Sequence, residues 1–168
     1  VNIFAHNEDI DKLPDYLRGL AAAKVDALLI SDLGVWTTAR EVVPELPLHA
    51  STQMTITNSS GVDFAVAAGM ERSVLARELS LKEIAAACSR GTEIETFIHG
   101  ALCVCYSGQC LMSSLIGGRS GNRGRCAQPC RLPYKLLNDN DEDMLQGKDA
   151  GQYLLSPKDI NTLGILPQ

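Results

Sequence analysis

Aromatic side chains are scarce: one tryptophan, four tyrosines and three phenylalanines in 168 residues. That argues against a stacking platform, which grips single-stranded nucleic acid through successive exposed rings. No apolar run approaches the roughly 20 residues needed to cross a bilayer as a helix, so no membrane partner is expected. A basic start followed by a continuous apolar stretch, the mark of a secretory leader, is missing too. The chain opens at Val1 rather than at a methionine, inside what reads as a strand, so its start is expected to lie upstream. Three reaction signatures are also wanting. No Gly-rich dinucleotide fingerprint follows any strand-like segment, and there is no His-Glu-x-x-His element for a zincin-type protease. There is no Gly-x-Ser-x-Gly elbow either, and Tyr106-Ser107-Gly108 does not supply one.

One further absence is local. Between Thr96 and Asn138 there is no carboxylate at all, although the chain has 20 acids and a net charge of −5. The same stretch holds Arg119, Arg123, Arg125, Arg131 and Lys135. An acidic protein with one positive segment suits a local anionic ligand, RNA or a small anion, better than nonspecific nucleic-acid binding over its whole surface. The alternative for the arginines is internal: they hydrogen-bond carbonyls in a segment with little regular structure.

That segment also concentrates sulfur. Five of the six cysteines fall in it: Cys103, Cys105, Cys110, Cys126 and Cys130. Disulfide frameworks spread along a chain, whereas metal ligands bunch. Cys103, Cys110, Cys126 and Cys130 make a C-x6-C pair and a C-x3-C pair, separated by 15 residues. Four thiolates suit a tetrahedral zinc ion or a [4Fe–4S] cluster. Neither pair has the C-x2-C form of a zinc-ribbon knuckle, and glycines and arginines nearby suit an anionic cluster. Disulfides or free thiols remain the third alternative. Cys105 is a spare ligand or a core thiol, and Cys88 reads as a structural cysteine on a helix.

The first 100 residues repeat a strand-then-helix rhythm. Strands are expected at Val1–Phe4, Ala27–Ile30, Leu48–Ser51, Ser73–Ala76 and Ile94–Ile98. Helices are expected over Ile10–Ala23 (capped by Asn7 or Asp9), Val35–Val43, Ser59–Ala68 and Leu81–Ser89. Ser80 and Glu83 form a capping box for the last of these. A sixth strand is expected at Tyr153–Ser156, with a helix starting at Pro157-Lys158-Asp159. Short apolar strands alternating with amphipathic helices predict a parallel sheet covered by helices. The expected class is therefore α/β, part of a (β/α)8 barrel with about six strands: one partial barrel domain over 1–168 with a Cys-rich insertion at 101–133. Polar residues cluster at the C-terminal end of every strand, the edge that carries sites in such folds. His6, His49 and His99 lie at or near these ends, as does Arg77-Glu78, either a clamp for an anionic substrate or an internal ion pair.

The run Glu95-x-Phe97-x-x-Gly100-Ala101-Leu102-Cys103-x4-Gly108-x-Cys110-x-Met112-Ser113 resembles the signature of the U-32 peptidase family, also called collagenase-like proteases. The likeness continues through Asn122-Arg123-Gly124-x-Cys126-Ala127-Gln128-Pro129-Cys130-Arg131. Val1-Asn2-Ile3, Ser51-Thr52-Gln53, Arg77-Glu78-Leu79-Ser80 and Ser156-Pro157-Lys158-Asp159 resemble the family's strand ends. The resemblance implies a barrel of the TIM type. It also implies either proteolysis, as the family name says, or hydroxylation, since other members resemble factors that hydroxylate transfer or ribosomal RNA, or ubiquinone, several of them with a [4Fe–4S] cluster. The thiols and arginines favour the second. A noncatalytic iron–sulfur or zinc assembly factor that binds RNA is a third candidate.

On this footing Cys103, Cys110, Cys126 and Cys130 are the expected cluster ligands. Some family members draw one ligand from a position near Asn161, which here is not a cysteine, so Cys130 is expected to complete the set. Arg77, Glu78 and His99 are the candidate catalytic groups. His49, Gln53, Arg119, Arg123, Arg125 and Arg131 are the candidate substrate contacts. The expected location is cytoplasmic, and the expected partner is a further subunit or the rest of the barrel.

Overall fold

A computed structural model describes residues 1–147 and 151–166. Its centre is a four-stranded parallel sheet: β1 (Leu28–Ile30), β2 (Leu48–Ala50), β3 (Arg72–Val74) and β4 (Glu93–Glu95), side by side in that order. The register sets Leu29 beside His49 and His49 beside Arg72, so these three share one face. Leu28, Ile30, Leu48 and Ala50 point to the other face and are buried. The α/β class and parallel strand order agree with the sequence pattern.

Helices cover that second face. They are α1 (Asn7–Ile10), α2 (Leu13–Ala22), α3 (Leu33–Val42), α4 (Ser59–Ala67) and α5 (Leu81–Cys88). Helical spacing puts Leu13 and Leu17 of α2, Val35 and Ala39 of α3, and Val62 and Ala65 of α4 into one core with the strands. Trp36 lies at the margin of this core and donates its indole N–H to the Ala68 carbonyl at 3.1 Å. The first face is covered far less: Leu29 is 42 % exposed. There Arg72 pairs with Glu93 at 2.7 Å and Glu95 at 3.2 Å.

Side-chain caps start α3, α4 and α5, from Asp32, Asn58 and Ser80. Ser80 and Glu83 form the expected capping box, with Glu83 accepting the Ser80 N–H at 2.7 Å. Asp32 does more. Its Oδ1 accepts the N–H groups of Gly34 and Val35, and its Oδ2 accepts the Ala5 N–H at 3.1 Å. One carboxylate therefore starts α3 and ties the N-terminal segment to the end of β1.

Several expected elements differ. Val1–Phe4 is not a strand, because its donors are used elsewhere: the Phe4 N–H goes to the Asn122 carbonyl at 2.9 Å and that of Ala5 to Asp32. The single helix expected over 10–23 is split into α1 and α2. Pro14 has no N–H to give to the preceding turn, so the helix restarts around it. The cap of α1 is His6, whose N–H goes to Asp9 at 2.8 Å, rather than Asn7 or Asp9. The strand expected over 94–98 stops at Glu95. His99–Gly100 forms a separate β5, antiparallel to β6 (Ile160–Asn161). Tyr153–Ser156 is a turn closed by the Ser156 N–H on the Tyr153 carbonyl at 3.0 Å, not a sixth parallel strand. After Pro157 the chain enters β6 instead of a helix. Ile98 supplies the reason: its carbonyl accepts both the N–H and the hydroxyl of Thr162.

Asp32→Ala should remove the cap of α3 and the tie to Ala5 together. The expected cost is about 1–2 kcal/mol, read from urea unfolding, with Asp32→Asn recovering most of it.

Candidate metal centre

The segment after β5 folds back over the C-terminal edge of the parallel sheet. It has little regular structure: a short helix α6 (Met112–Gly117) and single 3-10 turns at Gly121–Arg123 and Pro129–Arg131. Between it and the sheet lies a cavity of about 340 Å³. Leu29, Val74, Glu95 and Phe97 line it from the sheet side, and Ser51, Thr52 and Gln53 from the loop after β2. Cys103, Cys110, Cys126 and Cys130 line it from the other. The structure thus brings together four thiols that the chain spreads over 28 positions, Cys103 to Cys130. Asn161 lies in β6 and is not among the lining residues, whereas Cys130 is.

Three contacts seat this segment. Ser107 is only 2 % exposed. Its N–H and hydroxyl both donate to Glu78 Oε1, at 2.9 and 3.1 Å, and its hydroxyl accepts the Arg77 N–H at 3.3 Å. Its carbonyl accepts the Thr55 hydroxyl at 2.7 Å. Gly108 follows with φ +79°, and a Cβ there would stand 2.3 Å from the Gln53 carbonyl oxygen. Only glycine allows the two backbones this close. Finally, Asn122 donates its side-chain amide to the Gly108 carbonyl at 2.6 Å, joining the Cys110 and Cys126 stretches.

Arg77 faces the thiols. Its guanidinium lies 4.0 Å from Cys103 Sγ, 3.4 Å from the Ala101 carbonyl and 4.3 Å from the centre of the Phe97 ring. Cys105 sits among the same sulfurs. Its hydrogen bond with Cys110, then burial, then repulsion from Cys110, Cys103 and Cys130 push its thiol up from the ordinary value. All six cysteines are free. Among the described residues no three His, Cys, Asp or Glu converge closely enough to hold a single ion. What the four thiols share is the wall of one cavity.

The other candidates divide. Gln53 lines the cavity, with its amide donated to the Asn2 carbonyl at 2.6 Å. Glu78 is turned to Ser107 and does not line it. The three histidines do not gather: His6 caps α1, His49 is the middle residue of β2, and His99 is in β5. None of them lines the cavity. Arg123 and Arg131 have internal partners, as the alternative for the arginines expected. Arg123 holds Asp9 at 2.6 Å and the Phe4 carbonyl at 2.8 Å. Arg131 holds the carbonyls of Leu102 and Pro157 at 2.7 and 2.8 Å and the Ser156 hydroxyl. Arg119 and Arg125 are exposed, with no side-chain partner among the described residues. Thr55 escaped the sequence reading, and Ser107, Asn122 and Phe97 were named there without a role in the site. Only Gly108, inside the cysteine signature, signalled a close backbone approach.

The family model described as Peptidase family U32 matches residues 1–168. A tRNA hydroxylation protein P1 of Bacillus subtilis is 40% identical over 170 residues, covering 99% of this chain and 40% of that protein. A 23S rRNA 5-hydroxycytidine synthase of Escherichia coli is 41% identical over 161 residues, covering 95% and 23%. A collagenase of Porphyromonas gingivalis is 33% identical over 175 residues, covering 97% and 41%. The chain therefore spans well under half the length of these relatives. No solved structure matches it.

Two outcomes follow from the seating contacts. Gly108→Ala should cost about 2 kcal/mol or more in urea unfolding, because the left-handed backbone and the Gln53 carbonyl both oppose a Cβ. The Arg123 hydrogen bond, then the His6 backbone N–H, hold the Asp9 carboxyl at about 2, below its ordinary 3.8. The stability from this pair is full above the unfolded value and is lost as pH falls towards about 2. Arg123→Ala should therefore flatten the fall of the urea midpoint with acid in that window and leave its slope unchanged near neutrality.

Proposed function

The chain belongs to peptidase family U32, and from that premise we propose that it is the thiol-bearing part of an iron–sulfur enzyme that hydroxylates RNA. The observation that carries this proposal is the cavity that Cys103, Cys110, Cys126 and Cys130 all line, with the Arg77 guanidinium 4.0 Å from one sulfur. Four thiolates around a cavity suit a polynuclear [4Fe–4S] cluster, whose irons are each held at a separate corner. A single zinc ion would need the ligands drawn to one point. The names of relatives at 40% and 41% identity, which modify tRNA and rRNA, point to the same class of substrate.

Cys103, Cys110, Cys126 and Cys130 would be the ligands, and the cluster would supply one-electron chemistry. Arg77 offsets the negative charge of the bound thiolates, and Phe97 stacks on its guanidinium and shields that side from water. Gln53, fixed by Asn2, presents a polar edge in the same cavity. Arg119 and Arg125, without side-chain partners among the described residues, would contact RNA phosphates, which position a substrate without reading its sequence. Arg123 and Arg131 instead keep the segment in place. The parallel sheet is proposed as a sector of a (β/α)8 barrel that the rest of a longer chain or a partner subunit completes, with residues 101–133 as an insertion in it. The enzyme would work in the cytoplasm, where its thiols stay reduced.

The family's peptidase name and the collagenase relative define the competing activity. It would need an activated nucleophile or a hydrolytic metal. The serines that line the cavity, Ser51, Ser107 and Ser113, are buried, Ser107 is held by Glu78, and no histidine lines the cavity.

The deciding experiment is anaerobic purification of the full-length protein with iron, acid-labile sulfide and RNA hydroxylation measured on one preparation. Wild type should carry both elements, and Cys103→Ser and Cys110→Ser should each lower iron content and hydroxylation together by at least about tenfold. An iron-free, zinc-bound protein, or gelatin cleavage that survives both substitutions, would overturn the proposal.

A further inference from the structure

Glu78 sits at a strand end beside the cavity, where a carboxylate reads as a reacting group, yet its oxygen points elsewhere. Ser107 lies between two of the candidate ligands, Cys103 and Cys110, and Oε1 of Glu78 takes both its N–H and its hydroxyl. Every remaining hydrogen-bonding group of Ser107 is also used. Its hydroxyl accepts from the Arg77 backbone, and its carbonyl accepts from Thr55. Gln109 reaches back to Thr55 at 2.8 Å, so Ser107 and Gln109 are fastened to the loops after β2 and β3, while the Gly108 carbonyl between them accepts from Asn122. The Cys103–Cys110 loop has no regular structure of its own to set the spacing of its thiols. Something outside it must do so.

We propose that Glu78 is the positioning residue of the thiol centre: through Ser107 it fixes where Cys103 and Cys110 stand relative to Arg77. This rests on the cluster assignment above. Glu78 and Arg77 are consecutive, so one short backbone turn delivers the anchor to the loop and the positive charge to the sulfur. The carboxylate acts on the ligands through Ser107 and takes no part in proton transfer at the substrate. Support of this kind, one shell behind the metal ligands, is worth about 10–100-fold in metal retention.

The test uses the full-length protein with Glu78→Ala and Glu78→Gln. Glutamine keeps an oxygen that can accept both Ser107 bonds, whereas alanine keeps none. The first readout is the rate of cluster loss to an iron chelator, followed by visible absorbance. Glu78→Ala should lose its cluster at least about tenfold faster than wild type, and Glu78→Gln should stay within about twofold. The second readout needs no cluster: hydrogen exchange of the Ser107 amide in iron-free protein. It should accelerate in Glu78→Ala by a similar factor and hold in Glu78→Gln. If Glu78→Ala does not fold, Ser107→Ala removes only the hydroxyl and is judged by cluster loss, with the same expected direction. Wild-type cluster lifetime and amide exchange in Glu78→Ala would overturn the proposal, and so would failure of glutamine to restore either. A wild-type protein that takes up no iron and sulfide would instead sink the cluster assignment, while amide exchange still judges the anchor.

Discussion

The site depends on one close approach: the backbone of Gly108 resting on the backbone carbonyl of Gln53, with Ser107 locked beside it by Glu78. The segment carrying the thiols cannot hold itself up. It buries few apolar side chains and has only short helical turns, while Leu111, Leu115 and Ile116 stand exposed. What fixes it is a set of polar contacts to a sheet edge that is rigid because α2 to α5 pack behind it. Rigidity passes from an apolar core, through strand-end loops, to a polar anchor and then to sulfur. A glycine and a buried serine are where that chain of support is narrowest.

The arginines divide the labour that composition alone assigned to them jointly. Arg131 ties Leu102, beside the first thiol, to the stretch at Ser156 and Pro157. Arg123 ties the N-terminal segment to the turn before Cys126. Both spend their fork on internal oxygens, where a guanidinium satisfies several acceptors at once. Arg77 stays directed at the sulfurs, and Arg119 and Arg125 stay in solvent. A positive segment in an acidic protein is thus part scaffold, part charge balance and part exposed surface. These uses differ in salt sensitivity, because buried hydrogen-bonded charges are screened less than exposed ones.

The four candidate thiols reach one cavity from stretches with little regular structure: a loop, the approach to a short helix, the stretch after the Gly121–Arg123 turn and a 3-10 turn. Polar ties join these stretches to one another. Asn122 links the Cys110 and Cys126 stretches through the Gly108 carbonyl, and Arg131, next to Cys130, holds the Leu102 carbonyl next to Cys103.

Much of this was legible in the residues. Apolar runs of three or four followed by amphipathic stretches specified the parallel βα order, because the period of the pattern is local. Ser80 with Glu83 specified a capping box for the same reason. The cysteine signature, with its glycines, specified the family. What failed were elements decided by distant partners. Val1–Phe4 has the composition of a strand, yet its donors go to Asn122 and Asp32. His99 sits at an apparent strand end, yet pairs in an antiparallel ribbon with Asn161. Glu78 stands at an apparent strand end, yet its carboxylate accepts the N–H and hydroxyl of Ser107. Sequence fixes what each segment prefers by itself and which atoms it can offer. Only the tertiary structure decides which of those atoms meet, because a hydrogen bond across 29 or more positions, as from Ser107 to Glu78, leaves no periodic trace in the chain.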